Sequence, residues 1–180
     1  MGGTHRSRLL QVAAVPGLRP TPDRVRETLF NWLGQTLEGW RCLDLFAGSG
    51  VLGFEAASRG ATEVVMVEQD ARAYRLLEEA IASLPAPNVK ALRGDAVKFL
   101  QQAAGNSLGN FDLIFLDPPY RAGWLDRVLP GLMKVAGSRA LLYVEAEAPI
   151  EALGPWQAIR RGVAGQVHYQ LMAQAGAEQA

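Results

Sequence analysis

The sequence predicts an α/β fold: a mostly parallel sheet with helices on both faces. Two observations predict it. Short apolar runs alternate with stretches of helical periodicity through the middle of the chain, the pattern of strands buried on both faces and joined by crossover helices. Four acids, Asp44, Glu68, Asp95 and Asp117, follow one another at intervals of 24, 27 and 22 positions. Each interval is one strand–helix unit, so the four acids occupy equivalent strand ends.

The elements follow in order. Residues 8–14 read as a strand, and Pro16-Gly17 as a turn. Thr21 is a suitable N-cap and Pro22 a suitable first helical residue. The helix that follows runs to about Gly34 with Val25, Leu29 and Leu33 on its core face, while Arg24, Glu27 and Asn31 share another face. Residues 41–46 form a strand ending in a glycine turn, and 51–58 a helix. Residues 63–68 form a valine-rich strand. Residues 71–84 form a helix with Tyr74, Leu77 and Ile81 on one face, broken by Pro85-Ala86-Pro87-Asn88. A short strand at 89–92, a helix at 96–104, a polar loop at 105–110 and a strand at 111–116 come next. Another helix leads to a strand at 140–145. Two strands at 158–163 and 166–172 around Ala164-Gly165 make a hairpin. Residues 173–180 are expected to fray as a disordered tail.

At 180 residues, with 49% hydrophobic and 20% charged, the chain is long enough for one domain with a sizeable core. No apolar run approaches the roughly 20 residues that span a bilayer, and residues 1–8 lack the apolar centre of a secretion signal. The one cysteine, Cys42, lies in an apolar run and reads as a buried structural thiol. A cytoplasmic protein with no membrane partner is expected. Net charge is zero, yet residues 1–31 carry five basic and two acidic residues, and residues 32–120 seven and eleven. A polyanionic partner would therefore meet the termini rather than the central sheet.

The first motif is Asp44-Leu45-Phe46-Ala47-Gly48-Ser49-Gly50. A strand ends here, and glycines let the backbone turn beneath a ligand before a helix begins. Gly48, Gly50 and Gly53 also satisfy the G-x-G-x-x-G pattern, with Glu68 in the range of a ribose-binding acid. The loop alone therefore suits a dinucleotide as well as another adenosyl cofactor. Two features tilt the choice. Asp44 precedes the glycines, where a carboxylate suits a cationic amino-acid cofactor and opposes a pyrophosphate. Asp95, in Gly94-Asp95-Ala96, can accept a hydrogen bond from an adenine amino group, a role compatible with capping the next helix.

The second motif is Asp117-Pro118-Pro119-Tyr120, at the carboxyl end of the 111–116 strand. In an open parallel sheet this end shares one crevice with the glycine loop. An exocyclic amino nitrogen on a base is a poor nucleophile because its lone pair is delocalised into the ring. Two acceptors aimed at its hydrogens favour a pyramidal, more nucleophilic nitrogen. The Asp117 carboxylate is one; the Pro118 carbonyl, held by the restricted prolyl backbone, is the other. Both stabilise the positive charge that grows on nitrogen during attack on a sulfonium methyl. Tyr120 can stack on the base. No metal is required, and the chain has only two histidines.

Leu18-Arg19-Pro20-Thr21, Asp23-Arg24-Val25-Arg26-Glu27, Leu29-Phe30-Asn31-Trp32, the glycine loop at 44–50, Asp117-Pro118-Pro119-Tyr120 and Tyr143-Val144-Glu145 together resemble the RsmD family, bacterial methyltransferases that modify N2 of a guanine in 16S ribosomal RNA. The resemblance runs from about residue 2 to residue 172. It implies a class I S-adenosylmethionine-dependent methyltransferase (Rossmann-like) fold with a seven-stranded sheet and a small N-terminal appendage. That divides the chain into an RNA-contacting segment at 1–38 and a methyltransferase core at 39–172. It implies action on an assembled or assembling small ribosomal subunit, with S-adenosylhomocysteine as product. By position, Asp44, Gly48, Ser49, Gly50, Glu68, Asp95 and Ala96 would line the cofactor, with Glu68 on the ribose hydroxyls. Asp117, Pro118, Pro119 and Tyr120 would hold the guanine. Arg6, Arg8, Arg19, Arg24 and Arg26 are the candidates for RNA phosphates. The chain is expected to work as a monomer. The rival readings are a DNA adenine-N6 methyltransferase, which can use the same tetrapeptide but needs a target-recognition segment for which the spacings leave no room, an NAD-dependent oxidoreductase, and a non-catalytic RNA-binding assembly factor.

Overall fold

The computed structural model describes residues 22–84, 86–104, 109–120 and 123–176. Within them, five strands run parallel: β1 (Arg41–Asp44), β2 (Glu63–Glu68), β3 (Val89–Arg93), β4 (Phe111–Leu116) and β5 (Ala136–Ala146). Three more, β6 (Ala152–Leu153), β7 (Trp156–Ala164) and β8 (Val167–Gln174), extend the sheet antiparallel. The order is β3-β2-β1-β4-β5-β8-β7-β6. The chain reverses direction across the sheet between β1 and β4, the switch point at which such sheets bind ligands.

The apolar strands alternate faces with period two. Cys42, Val64, Met66, Leu113, Phe115 and Tyr143 face one core, which takes in α1 (Asp23–Leu33), α2 (Val51–Ser58) and α3 (Ala71–Ser83). Leu43, Val65, Val67, Ile114, Leu142 and Val144 face the other, covered by α4 (Ala96–Ala103) and α5 (Trp124–Val135). Cys42 is fully buried, and burial pushes its thiol pKa up, which suits a structural role.

Four features depart from the sequence reading. Pro22, expected as the first helical residue, is the N-cap: its ψ of 143° is extended, and its carbonyl accepts from Val25 and Arg26 N–H. Thr21, the 8–14 strand and the Pro16-Gly17 turn lie outside the described residues. β5 begins at Ala136 rather than at residue 140, because an irregularity in its register against β4 admits the unpatterned Gly137-Ser138-Arg139. The two-residue β6 makes eight strands among the described residues rather than seven. β8 continues to Gln174, where Ala173 and Gln174 pair with Gln157 and Trp156, so the expected tail loses its first two residues to the sheet. On α3, Tyr74 is partly buried and donates its hydroxyl to Glu78 Oε1 at 2.9 Å. α1 packs into the core: Leu29 and Phe30 are fully buried, and Trp32 stacks on Tyr169 at 5.5 Å.

Candidate active site

The glycine loop leaves β1 at Asp44 and is fixed from several sides. Leu45 N–H donates to the Phe115 carbonyl at 3.2 Å and Ala47 N–H to the Val67 carbonyl at 2.9 Å. Gly48 N–H donates to Glu68 Oε2 at 2.7 Å, while Glu68 Oε1 accepts from Asp70 N–H at 2.7 Å. One carboxylate at the end of β2 therefore organises two loops. Gly50 has a φ of +75°, and a Cβ there would lie 2.5 Å from Leu77 Cδ2. At Gly53 a Cβ would lie 2.8 Å from Met66 Cε. These two glycines let α2 pack closely on β2 and α3; they shape the loop from behind.

Asp44 is almost fully buried, and its Oδ2 accepts from Gly53 N–H at 3.3 Å. Burial raises its pKa from 3.8 to about 7, with the Glu68 and Glu145 charges adding to the rise and the Gly53 and Phe46 N–H groups opposing it. Across the switch point β4 ends at Leu116 and delivers Asp117. Burial first, then the neighbouring Glu145 and Asp44 charges, raise the Asp117 carboxyl well above the usual range. Pro118 is buried, whereas Pro119 and Tyr120 are exposed at the rim. Glu145, at the end of β5, is buried and accepts the Tyr143 hydroxyl at 2.8 Å on Oε1.

These groups surround a cavity of about 550 Å³, a size that suits a small-molecule cofactor. Asp44, Gly48, Ser49, Glu68, Ala96, Asp117, Pro118, Pro119 and Tyr120 all line it. Gly50 sits behind the loop as the N-cap of α2. Asp95 caps α4, its carboxylate accepting from Lys98 N–H at 3.0 Å, while its neighbours Gly94 and Ala96 line the cavity. The sequence reading missed Asp70, Pro22, Trp124 and the hairpin residues Ala164 and Val167, which also line the wall. Trp124 packs edge-on against Phe46 at 5.4 Å, joining α5 to the glycine loop; only its place shortly after Tyr120 could have signalled it.

Five carboxylates, those of Asp44, Glu68, Asp70, Asp117 and Glu145, line this cavity, and no lysine, arginine or histidine is among the described lining residues. A wall of that charge favours a cationic ligand and opposes a pyrophosphate. Among the described residues, no group of three or more histidine, cysteine, aspartate or glutamate side chains could hold a metal ion.

The arginine candidates separate. Arg24 is exposed beside Glu27 and Asn31 on the outer face of α1. Arg26 turns inward: its guanidinium pairs with Asp23 at 2.8 Å and with the buried Glu55 of α2 at 3.6 Å, which makes it a clamp between helices rather than an outward contact. Arg6, Arg8 and Arg19 lie outside the described residues. Among the described residues, no helix is long and apolar enough to cross a membrane.

The chain is similar to known proteins over nearly its full length. It is 42% identical over 179 residues to the ribosomal RNA small subunit methyltransferase D of Escherichia coli strain K12, covering 95% of this chain and 87% of that protein. It superposes on the solved structure of yhhF, a candidate methyltransferase from Escherichia coli, with a TM-score of 0.83 at 41% identity, covering 97% and 96% of the two chains. A candidate methyltransferase solved in complex with SAH shares the fold at a TM-score of 0.65 and 16% identity, over 83% of this chain and 48% of that one. The family model described as Conserved hypothetical protein 95 matches residues 1–173. On that match and that identity, the chain belongs to the RsmD family and has the α/β methyltransferase fold.

Proposed function

We propose that this protein transfers a methyl group from S-adenosylmethionine to the exocyclic N2 of a guanine in 16S ribosomal RNA, acting as a monomer on small ribosomal subunits in the cytoplasm and leaving S-adenosylhomocysteine. The observation that carries the cofactor reading is the acid-lined cavity over a glycine loop, with no cationic side chain among the described residues that line it. The name of the 42% identical relative supports the RNA substrate.

The residues present fit the cofactor. Glu68 fixes the loop through Gly48 and offers carboxylate lone pairs to ribose hydroxyls. Asp44 places a carboxylate at the base of the cavity for an ammonium group. When bound, S-adenosylmethionine supplies an electrophilic methyl on a sulfonium. The chain's own residues do the rest. The Asp117 carboxylate and the Pro118 carbonyl accept the two amino hydrogens, so that the nitrogen lone pair turns toward the methyl. Tyr120, at the rim, receives the base face once the nucleotide has left its stack. The raised pKa of Asp117 suits a carboxylate that takes the surplus proton from the methylated nitrogen once the nitrogen–carbon bond has formed and the sulfur–carbon bond has broken.

The alternatives carry less. An NAD-dependent enzyme would set a pyrophosphate against five carboxylates. A DNA adenine methyltransferase would need a target-reading insertion, and the segments joining the described strands and helices are short. A silent assembly factor would bind subunits without turnover. Incubation of unmodified small subunits with radiolabelled S-adenosylmethionine tests the proposal: label should enter 16S ribosomal RNA in subunits and enter a short hairpin of the same sequence poorly. Binding to subunits without incorporation would favour the assembly-factor reading.

A further inference from the structure

Asp117 and Glu145 each follow the last residues paired between β4 and β5, Leu116 and Val144. Leu116 of β4 pairs with Val144 of β5, so the next step along these parallel strands sets Asp117 beside Glu145, at the roughly 4.8 Å spacing of neighbouring strands. Both side chains line the same cavity. The Glu145 carboxylate is 4% exposed and anchored by the Tyr143 hydroxyl at 2.8 Å, and Tyr143 is itself fully buried. A second carboxylate is thus held next to the proposed catalytic one. Burying it costs free energy, and a methyl transfer in which Asp117 and Pro118 already accept both amino hydrogens does not require it.

The edge of the base gives it a task. On guanine the N2 amino group lies next to N1–H, a second donor. On adenine the N6 amino group lies next to N1, an acceptor. With the amino group on Asp117, a base whose N1 side lies toward β5 meets Glu145. A carboxylate there accepts from guanine N1–H and repels the adenine N1 lone pair. We propose that Glu145 is the residue that selects guanine over adenine, its carboxylate accepting N1–H while Asp117 and Pro118 hold the amino group and Tyr143 fixes its orientation. This rests on the guanine-N2 reading above and assigns the specificity of that same site.

The test compares wild-type protein with Glu145→Gln on small subunits reconstituted with guanine or adenine at the methylated position, reading kcat/KM for labelled methyl transfer. A glutamine amide can donate to adenine N1. Glu145→Gln should lower kcat/KM on guanine by about 10- to 100-fold and reduce the guanine-to-adenine preference by about 100-fold or more. Any change in affinity for S-adenosylmethionine, measured by calorimetry on the same variant, acts equally on both substrates and cancels from the preference. A second measurement needs no variant. Wild-type protein given 2-aminopurine at the target keeps the amino group but loses N1–H, and should turn over about 100-fold or more slower than on guanine. An unchanged preference in Glu145→Gln, or equal wild-type turnover of guanine and 2-aminopurine, would overturn the role of Glu145 while N2-methylguanosine formation by the wild type kept the proposed function standing. Absence of N2-methylguanosine from the wild-type reaction would remove both.

Discussion

Glu68 Oε2 accepts the backbone N–H of Gly48 at 2.7 Å across 20 positions of sequence. The acid expected to bind a ribose is therefore also the strut of the glycine loop. Glu68→Ala should weaken S-adenosylmethionine binding by about 1.5–3 kcal/mol, the scale of a lost charged hydrogen bond. Glu68→Gln should weaken it less, because the amide oxygen can still accept from Gly48. Titration calorimetry on the two variants checks the order.

Asp117 lines the cavity across the switch point from the glycine loop, where the proposed mechanism puts the base. Asp117→Ala should abolish methyl transfer and leave cofactor affinity within a few-fold. Tyr120→Ala should lose activity in part, on the scale of the roughly 1–3 kcal/mol that base stacking contributes at other nucleic-acid sites. Single-turnover transfer and equilibrium binding, measured on the same preparations, separate the two effects. Near-normal turnover by Asp117→Ala would show that the tetrapeptide is not the catalytic loop.

Burial disfavours the charge of Asp44 and pushes its carboxyl up to about 7. A cationic ligand favours the carboxylate, so affinity for S-adenosylmethionine should rise with pH through about 7 and level off above, by at most about tenfold per pH unit below the pKa. Below pH 7 binding should release a proton, visible as a buffer-dependent heat. The same shift has the opposite sign for folding. The native state holds this proton more tightly than the unfolded chain, so the Asp44 contribution to stability falls as pH rises from about 4 to about 7. Cofactor affinity flat from pH 6 to 8 would contradict contact between Asp44 and a cation.

Arg24 and Arg26 lie two positions apart and should behave differently. Arg24→Glu should weaken small-subunit binding and flatten its salt dependence with little effect on stability, because the side chain is exposed. Charge reversal at Arg6 and Arg8 should likewise weaken subunit binding and flatten its salt dependence. Arg26→Ala should lower stability by about 1–3 kcal/mol in chemical denaturation, since it takes one partner from the buried Glu55 and leaves Arg59.

The sequence made the site legible where chemistry and backbone are coded together in one short run. Asp44 with its glycines and Asp117 with its prolines are such runs, and the regular spacing of Asp44, Glu68, Asp95 and Asp117 placed them at one end of the sheet. Wall residues drawn from distant elements carry no such signal. Ala164 and Val167 reach the cavity only because β7 and β8 pair beyond β5, and Pro22 because α1 packs against the same core. Charge alone could not sort the arginines: Arg26 resembles Arg24 in sequence, and only its approach to Glu55 shows that it faces inward. The early start of β5 escaped notice because Gly137-Ser138-Arg139 lack the apolar alternation of a strand and are carried by register against β4.

The central claim is the atom that receives the methyl. Small subunits lacking the modification, treated with this protein and S-adenosylmethionine and digested to nucleosides, can be resolved by mass spectrometry. The account predicts one enzyme-dependent product, N2-methylguanosine from 16S ribosomal RNA, absent with Asp117→Ala. N6-methyladenosine as that product would contradict the assignment of the base while leaving the methyltransferase chemistry in place.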